Sequence, residues 1–165
     1  YVVTDFVPNI VSSLGAVPKA NSEKIRLIHD CSKPEHFSVN SYATTSHFKY
    51  QSVDDVVSLL PHGGYMAKID LSSAYRSVPI HPDCYNFMGL QWLFDGDTHP
   101  TYMVDTRLAF GLAKAPEIFQ RISNSIVRYM KHQGFTLVCY LDDYLIIDKN
   151  ENKCKLGFVT LKCLL

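Results

Sequence analysis

The sequence predicts an α+β fold, and three features of the chain indicate it. Residues 65–71 alternate between apolar and polar side chains, as half-buried strands do. Two β-rich runs, residues 137–141 and 144–147, are separated only by two aspartates, which is the pattern of a tight hairpin. Residues 116–133 carry apolar side chains at helical spacing. A chain of 165 residues can form one core that hides roughly 70% of its unfolded surface.

The first half of the chain is predicted to hold extended segments, loops and a short helix. Residues 24–29 have strand character and follow a polar turn. Ser52 and Asp55 have the spacing of a capping box, which predicts that a short helix begins there. In the strand over residues 65–71, successive side chains point to opposite faces, and Asp70 lies at the end of the strand.

The second half is predicted to hold a hairpin, a long helix and the start of another helix. Residues 87–94 and 101–104 flank a turn rich in Asp and Gly, which predicts the hairpin. Pro116 and Gly134 have the positions that begin and end a long helix. Its predicted buried stripe consists of Phe119, Ile122, Ile126 and Met130. The pattern over residues 152–165 predicts a further helix.

Composition narrows the class of protein. The 16 Lys and Arg balance the 16 Asp and Glu, so net charge provides no overall attraction to nucleic acid or to an anionic membrane. The sequence lacks an apolar run of about 18 residues and a secretory signal, and its five cysteines form no Cys-x-x-Cys pair. We therefore expect an intracellular protein, in the cytoplasm or nucleus, with no membrane partner. We also expect a segment of a longer polypeptide, because both ends of the chain look cut.

The strongest chemical signal is a set of three aspartates. Asp142 and Asp143 lie between two apolar runs, and adjacent carboxylates repel each other unless their charge is offset. The structural alternative is that these are ordinary turn residues screened by solvent. Asp70 also ends an apolar strand, so the three carboxylates converge if the strands are neighbours in one sheet. Such a cluster suits Mg²⁺, and two ions can activate a hydroxyl and stabilise a leaving oxygen in phosphoryl transfer.

Three segments in this order resemble successive motifs of reverse transcriptases: residues 68–75 (KIDLSSAY), 110–116 (FGLAKAP) and 140–143 (YLDD). The sequence over residues 102–112 most resembles retrotransposon enzymes of the tyrosine-recombinase (DIRS-like) group and, next, of the gypsy-like group. The resemblance covers residues 17 to 147. It implies a reverse transcriptase-like palm, an antiparallel sheet with helices on one face, together with part of the fingers.

The resemblance implies a catalytic role for the three aspartates. Asp70 and Asp142 would hold two metal ions, and the backbone carbonyl of Leu71 would also face a metal. Asp143 would be the third catalytic carboxylate. The ions would be Mg²⁺, with Mn²⁺ as the alternative, and would align a primer 3′-hydroxyl with the α-phosphate of a deoxynucleotide.

The resemblance also implies a set of nucleotide-binding residues: Lys19, Arg26, Leu71, Ala74, Tyr75, Phe110 and Gly111. Lys19 and Arg26 would grip the triphosphate, as a point charge and a bidentate group, although both are also expected of a solvated surface. The bulk of Tyr75 would exclude a 2′-hydroxyl and select deoxynucleotides, while the structural alternative is a core aromatic. Phe110 and Gly111 would form the floor of the site, where glycine allows close approach of backbone.

The predicted function is therefore that of an RNA-directed DNA polymerase fragment. Residues 1–60 would be part of the fingers and residues 61–165 the palm, without thumb or downstream domains, so we expect this segment alone to be inactive. The expected partners are an RNA template, a DNA primer, deoxynucleoside triphosphates and the rest of a retroelement polyprotein, with RNase H or a recombinase. Two alternatives stay open. One is an RNA-directed RNA polymerase palm, against which Tyr75 argues, and the other is a decayed or domesticated non-catalytic fragment, which Ala109 at a common proline position favours.

Overall fold

The computed structural model describes residues 1–20, 23–44 and 49–165, and their fold belongs to the predicted α+β class. The strands are β1 (Val2–Val3), β2 (Val11–Pro18), β3 (Ile25–Asp30), β4 (Tyr65–Asp70), β5 (Gly89–Trp92), β6 (Thr101–Val104), β7 (Thr136–Tyr140) and β8 (Asp143–Asp148). The α-helices are α1 (Val53–Leu59), α2 (Ala74–Ser77), α3 (Ala115–His132) and α4 (Glu151–Leu164). Short 3₁₀ helices span Val39–Tyr42 and Pro82–Phe87.

The chain divides into two compact units, each built from two separate stretches. The first unit comprises Tyr1–Ser46 and Tyr75–Ala115, and the second comprises His47–Ala74 and Pro116–Leu165. The division into a fingers part over residues 1–60 and a palm over residues 61–165 stays a prediction.

The first unit contains a five-stranded sheet in the order β1-β6-β5-β2-β3. The β2–β5 pair is parallel and the other pairs are antiparallel. The predicted hairpin is confirmed as β5 and β6, and the predicted strand at residues 24–29 is confirmed as β3. Cys31, Met88 and Ala109 form a small buried cluster in this unit.

The second unit contains an antiparallel sheet in the order β4-β8-β7. One face of this sheet packs against α3 and α4 in a shared apolar core. The buried members of that core are Val127, Met130, Leu137, Cys139, Tyr144, Ile146, Cys154 and Leu161. Side chains alternate along a strand, so Lys68 and Asp70 of β4 and Asp143 of β8 lie on the opposite face. The predicted antiparallel sheet with helices on one face is confirmed for this unit.

The helices follow their predicted ends, but the buried face of α3 differs from the prediction. At the start of α1 the capping box forms, with the Ser52 N–H donating to Asp55 at 2.7 Å. In α3, Ile122 is 39% exposed although it was expected in the buried stripe. Gln120 and Ser123 are buried instead, at 2% and 0% exposure. Phe119 and Met130 of the predicted stripe are buried as expected, so the buried side of this helix combines apolar side chains with Gln120 and Ser123.

The second hairpin also differs from the prediction by one residue. Asp143 is already the first residue of β8 and pairs with Tyr140, so the two turn residues are Leu141 and Asp142.

Within the described ranges, no helix is long and apolar enough to cross a membrane.

Candidate active site

The strand register of the second unit brings the three predicted carboxylates to one end of its sheet. Asp70, the last residue of β4, is directly opposite Asp143, the first residue of β8. Asp142 lies in the turn just before β8. The backbone carbonyl of Asp142 accepts a hydrogen bond from the Leu71 N–H at 3.1 Å. Facing residues of an antiparallel pair have their Cβ atoms about 5 Å apart. The convergence predicted from sequence is therefore present in the backbone.

The turn that carries Asp142 has a backbone conformation that is unusual for its residue type. Leu141 has φ of 54°, in the left-handed region that disfavours side chains with a Cβ. Its N–H donates to Gln120 Oε1 at 2.7 Å, and its carbonyl accepts from Ser123 Oγ at 2.8 Å. The Cys139 thiol donates to the same carbonyl at 3.2 Å, and burial raises the pKa of that thiol to about 11, so the proton is present at neutral pH. The helix and strand beneath the turn thus fix its conformation.

The charge of the carboxylates is partly offset by one lysine. Lys68 Nζ lies 2.9 Å from Asp143 Oδ1 on the same face of the sheet. The hydrogen bond and charge of Asp143 raise the pKa of Lys68, and Asp70 and Asp142 add to the effect. Burial raises the pKa of Asp142, and the negative charges of Asp70 and Asp143 raise it further, against the opposing effect of Lys68. The cluster therefore holds more negative charge than its neighbours neutralise.

The donor chemistry of this cluster fits a divalent cation. Carboxylate and carbonyl oxygens are the ligands that Mg²⁺ takes, and repulsion between like charges is what a cation relieves. Among the residues that the structure describes, no three carboxylate, imidazole or thiolate groups lie close enough together to hold a metal ion. The side chains of Asp70, Asp142 and Asp143 would have to draw together around one.

The first unit brings together four of the residues predicted to bind a nucleotide. The rings of Tyr75 and Phe110 pack with centroids 4.9 Å apart and an interplanar angle of 37°. The guanidinium of Arg26 lies over the Phe110 ring, 5.3 Å from its centroid, a distance suited to a cation–π contact. Gly111 follows Phe110 directly. The four residues thus form one cluster of two aromatic rings, a cation and a glycine.

Backbone contacts hold this cluster in place. The His29 N–H of β3 donates to the Phe110 carbonyl at 3.0 Å. Gly111 has φ of 111°, and a Cβ added there would overlap the carbonyl oxygen of His29. Only glycine therefore permits this approach of β3. The side chain of Asn40 donates to the Gly111 carbonyl and accepts from the Ala113 N–H, both at 2.8 Å.

The remaining predicted residues are more dispersed. Lys19 directly follows β2 and is exposed, and its N–H donates to the Lys24 carbonyl at 2.9 Å. Leu71 belongs to the carboxylate end of the second unit, and Ala74 is buried at the first position of α2. The nucleotide-binding and catalytic roles of all these residues stay predictions.

The structure adds residues that the sequence pattern did not indicate. Gln120 and Ser123 hold the Leu141 turn, and Asn40 holds the loop at Gly111. The one available signal was the pair of polar residues, three positions apart, inside the helix that begins at Ala115. That signal is weak, because serine and glutamine are equally common on a solvated helix face.

Residues 17–164 match the family described as reverse transcriptase (RNA-dependent DNA polymerase). The chain therefore belongs to the reverse transcriptase family, which is a family of nucleotidyltransferases that generally use divalent metal ions. The Gag-Pol polyprotein of walleye dermal sarcoma virus is 28% identical over 138 residues, which are 82% of this chain and 7% of that polyprotein.

Solved structures with the same fold include foamy viral enzymes. A foamy viral protease-reverse transcriptase in complex with double-stranded DNA superposes with a TM-score of 0.73 at 22% identity, over 99% of this chain and 26% of that one. A mutant of the prototype foamy virus protease-reverse transcriptase gives a TM-score of 0.69 at 18% identity, over 97% and 19% of the two chains. The chain thus spans at most 26% of the length of these proteins.

Proposed function

We propose that this chain supplies the catalytic carboxylates and part of the nucleotide site of an RNA-directed DNA polymerase. The observation that carries the proposal is the register that places Asp70 opposite Asp143, with Asp142 in the adjoining turn. Membership of the reverse transcriptase family supports it. The reaction is transfer of a deoxynucleotide to a primer 3′-hydroxyl on an RNA or DNA template.

The carboxylates would hold two divalent cations, Mg²⁺ or, as the alternative, Mn²⁺. Asp70 and Asp142 would be the ligands together with the Leu71 carbonyl, and Asp143 would be the third catalytic carboxylate. When bound, the ions lower the pKa of the attacking hydroxyl and stabilise the leaving oxygen. The chain's own contribution is positioning, because Gln120 and Ser123 fix the turn that carries Asp142.

The first unit would contribute the groups that bind the nucleotide. Arg26 and Lys19, the residue that follows β2, would contact the triphosphate. Ala74, the last residue of the His47–Ala74 stretch of the second unit, would also lie at the nucleotide site. Tyr75 would pack under the sugar, where its ring leaves no room for a 2′-hydroxyl. The Tyr75–Phe110 contact supports this role, because a ring held on one side cannot swing away from a ribose.

The rest of the enzyme would lie in a longer retroelement polyprotein. The chain covers 7% of a Gag-Pol polyprotein, which supports this part of the proposal. We propose a retrotransposon of the tyrosine-recombinase (DIRS-like) group, with the gypsy-like group next, acting inside the cell in the cytoplasm or nucleus. Its partners would be an RNA template, a DNA primer and further domains such as RNase H or a recombinase. This segment alone would be inactive.

Primer extension by the longer parent protein tests the proposal. The assay compares deoxynucleotides with ribonucleotides, on RNA and DNA templates of one sequence, in Mg²⁺. We expect extension with deoxynucleotides on RNA, and we expect Tyr75→Val to admit ribonucleotides. Tyr42→Val is the matched control, because Tyr42 is 69% exposed in the same unit.

Two results would replace the proposal by its alternatives. A wild-type protein that prefers ribonucleotides would be an RNA-directed RNA polymerase. A folded wild-type protein that binds primer and template but extends neither substrate would be a decayed or domesticated fragment.

A further inference from the structure

The first unit contains a buried charged group, Asp105, which contacts residues next to Tyr75 and in the stretch that leads to Phe110. The carboxylate of Asp105 is fully buried, and Arg76 Nη1 donates to both of its oxygens, at 2.7 and 2.6 Å. The Arg107 N–H donates to Oδ1 at 3.0 Å. Burial alone would raise the pKa of Asp105, but contacts with His29, Arg76 and the Arg107 N–H outweigh it and lower that pKa. The carboxylate is therefore charged at neutral pH, and it is paired.

The Asp105 carboxylate contacts both of the segments that carry the Tyr75 and Phe110 rings. Arg76 is the neighbour of Tyr75 in the short helix α2, so its ion pair fixes the segment that carries the Tyr75 ring. Arg107 begins the stretch that leads to Phe110, and its N–H is held by the same carboxylate. The two stretches also pair directly, because the Leu108 N–H donates to the Val78 carbonyl at 2.9 Å.

A third connection runs through β3. His29 Nδ1 lies 3.6 Å from Asp105 Oδ2, and the imidazole is 1% exposed. Neither of its ring nitrogens has a hydrogen-bond partner among the described residues. The His29 backbone N–H meanwhile donates to the Phe110 carbonyl. The Asp105 carboxylate is thus the common contact of the segments that carry Tyr75, Phe110 and the strand of Arg26.

We propose that the buried Arg76–Asp105 ion pair sets the spacing of the Tyr75 and Phe110 rings and thereby controls the choice between deoxynucleotides and ribonucleotides. The inference rests on the proposed function, since it concerns the same nucleotide site. Arg76 and Asp105 are positioning residues, because they act through the two rings and not on the substrate. A ring that gates a 2′-hydroxyl discriminates only if its neighbours prevent it from moving aside.

The test is the ratio of kcat/KM for a deoxynucleotide to that for the matching ribonucleotide, measured on the longer parent protein. For Asp105→Asn and Arg76→Met we expect the ratio to fall about tenfold to a hundredfold, the range that a misplaced positioning group produces. Arg76→Lys keeps the positive charge and should retain most of the discrimination. The matched control is the exposed ion pair of Lys155 with Glu151, whose loss in Lys155→Met should leave the ratio unchanged.

A double variant separates positioning from stability. Removing one partner leaves an unpaired buried charge, whereas Arg76→Met with Asp105→Leu removes both charges. The double variant should therefore regain thermal stability while its discrimination stays low. The inference would be overturned if the double variant had the wild-type ratio of kcat/KM for deoxynucleotide over ribonucleotide. It would also be overturned if both single variants kept that ratio.

Wild type and Tyr75→Val, run in the same assay, distinguish failure of the inference from failure of the proposed function. If wild type extends and Tyr75→Val loses discrimination while the ion-pair variants keep it, only the inference is wrong. If wild type extends no primer, the proposed function fails and the inference fails with it.

Discussion

Asp70 and Asp143 are directly opposite each other in the antiparallel register of β4 and β8. Hydrogen bonding of the sheet fixes this relationship, so it does not depend on side-chain conformation. Like charges that face each other across two strands destabilise the sheet. The repulsion between Asp70 and Asp143 is increased by the negative charge of Asp142, which lies at the same end of the sheet. The divalent cations that we propose for this end of the sheet would offset the repulsion.

The first prediction concerns the support of the Asp142 turn. Gln120→Leu removes the acceptor of the Leu141 N–H and leaves a buried donor unpaired. We expect the free energy of unfolding to fall by about 1–3 kcal/mol. Gln133→Leu is the control, because Gln133 is exposed just after the same helix. Chemical denaturation measures both, and an equal effect in the two variants would contradict the role given to Gln120.

The second prediction concerns the approach of β3 to Gly111. Gly111→Ala places a methyl group against the His29 carbonyl, and neither group is a flexible side chain that could move away. Gly96→Ala is the matched control, since its φ is 90° and open space surrounds it. Both variants have an unfavourable φ, which costs about 1–2 kcal/mol. Thermal unfolding should show a larger loss for Gly111→Ala, and equal losses would mean that β3 is not held there.

The third prediction concerns acid stability. The folded-state pKa of Asp105 lies below its ordinary value, so the carboxylate stabilises the fold above the unfolded-state pKa of about 3.9. That stabilisation is lost as the pH falls through this value toward the folded-state pKa. The difference in unfolding free energy between wild type and Asp105→Asn should therefore be constant above about pH 5 and shrink below about pH 4. The exposed Asp95→Asn serves as control, and a difference independent of pH would contradict the prediction.

Much of this fold was predictable because its elements follow simple periodicities. The alternation over residues 65–71 and the apolar runs beside Asp142 identify β4, β7 and β8, and Asp70 lies at a strand end in both prediction and structure. Local pattern was sufficient here because β4 alternates in the sequence, while β7 and β8 are short apolar runs that are buried on both faces, as at Leu137 and Val138.

The parts that the sequence did not indicate depend on contacts between distant segments. The turn lies at Leu141 and Asp142 because Gln120 and Ser123, about twenty residues earlier, bond to the Leu141 backbone. The same bonds explain why α3 buries those polar residues while Ile122 stays partly exposed. Arg76 and Asp105, 29 positions apart, likewise have no local signal in common.

The fourth prediction concerns metal binding apart from catalysis. If Asp70 and Asp142 hold divalent cations, Mg²⁺ should raise the melting temperature of the parent protein, since a ligand of the native state stabilises it. The increase in melting temperature should be larger in Lys68→Met, because this variant lacks the ammonium group that pairs with Asp143. It should disappear in Asp142→Asn. An equal shift in wild type and Asp142→Asn would place the Mg²⁺ elsewhere.

Primer extension by the parent protein with Asp142→Asn is the most direct test of the central claim that the carboxylates perform the chemistry. The matched control is Asp148→Asn, at the end of β8 far from the Asp142 turn, where asparagine can still accept the hydrogen bond from the Asn150 N–H. We predict that Asp142→Asn lowers the single-turnover rate by about three orders of magnitude at unchanged primer affinity, while Asp148→Asn keeps the wild-type rate. Equal rates in the two variants would contradict the catalytic role of this carboxylate cluster.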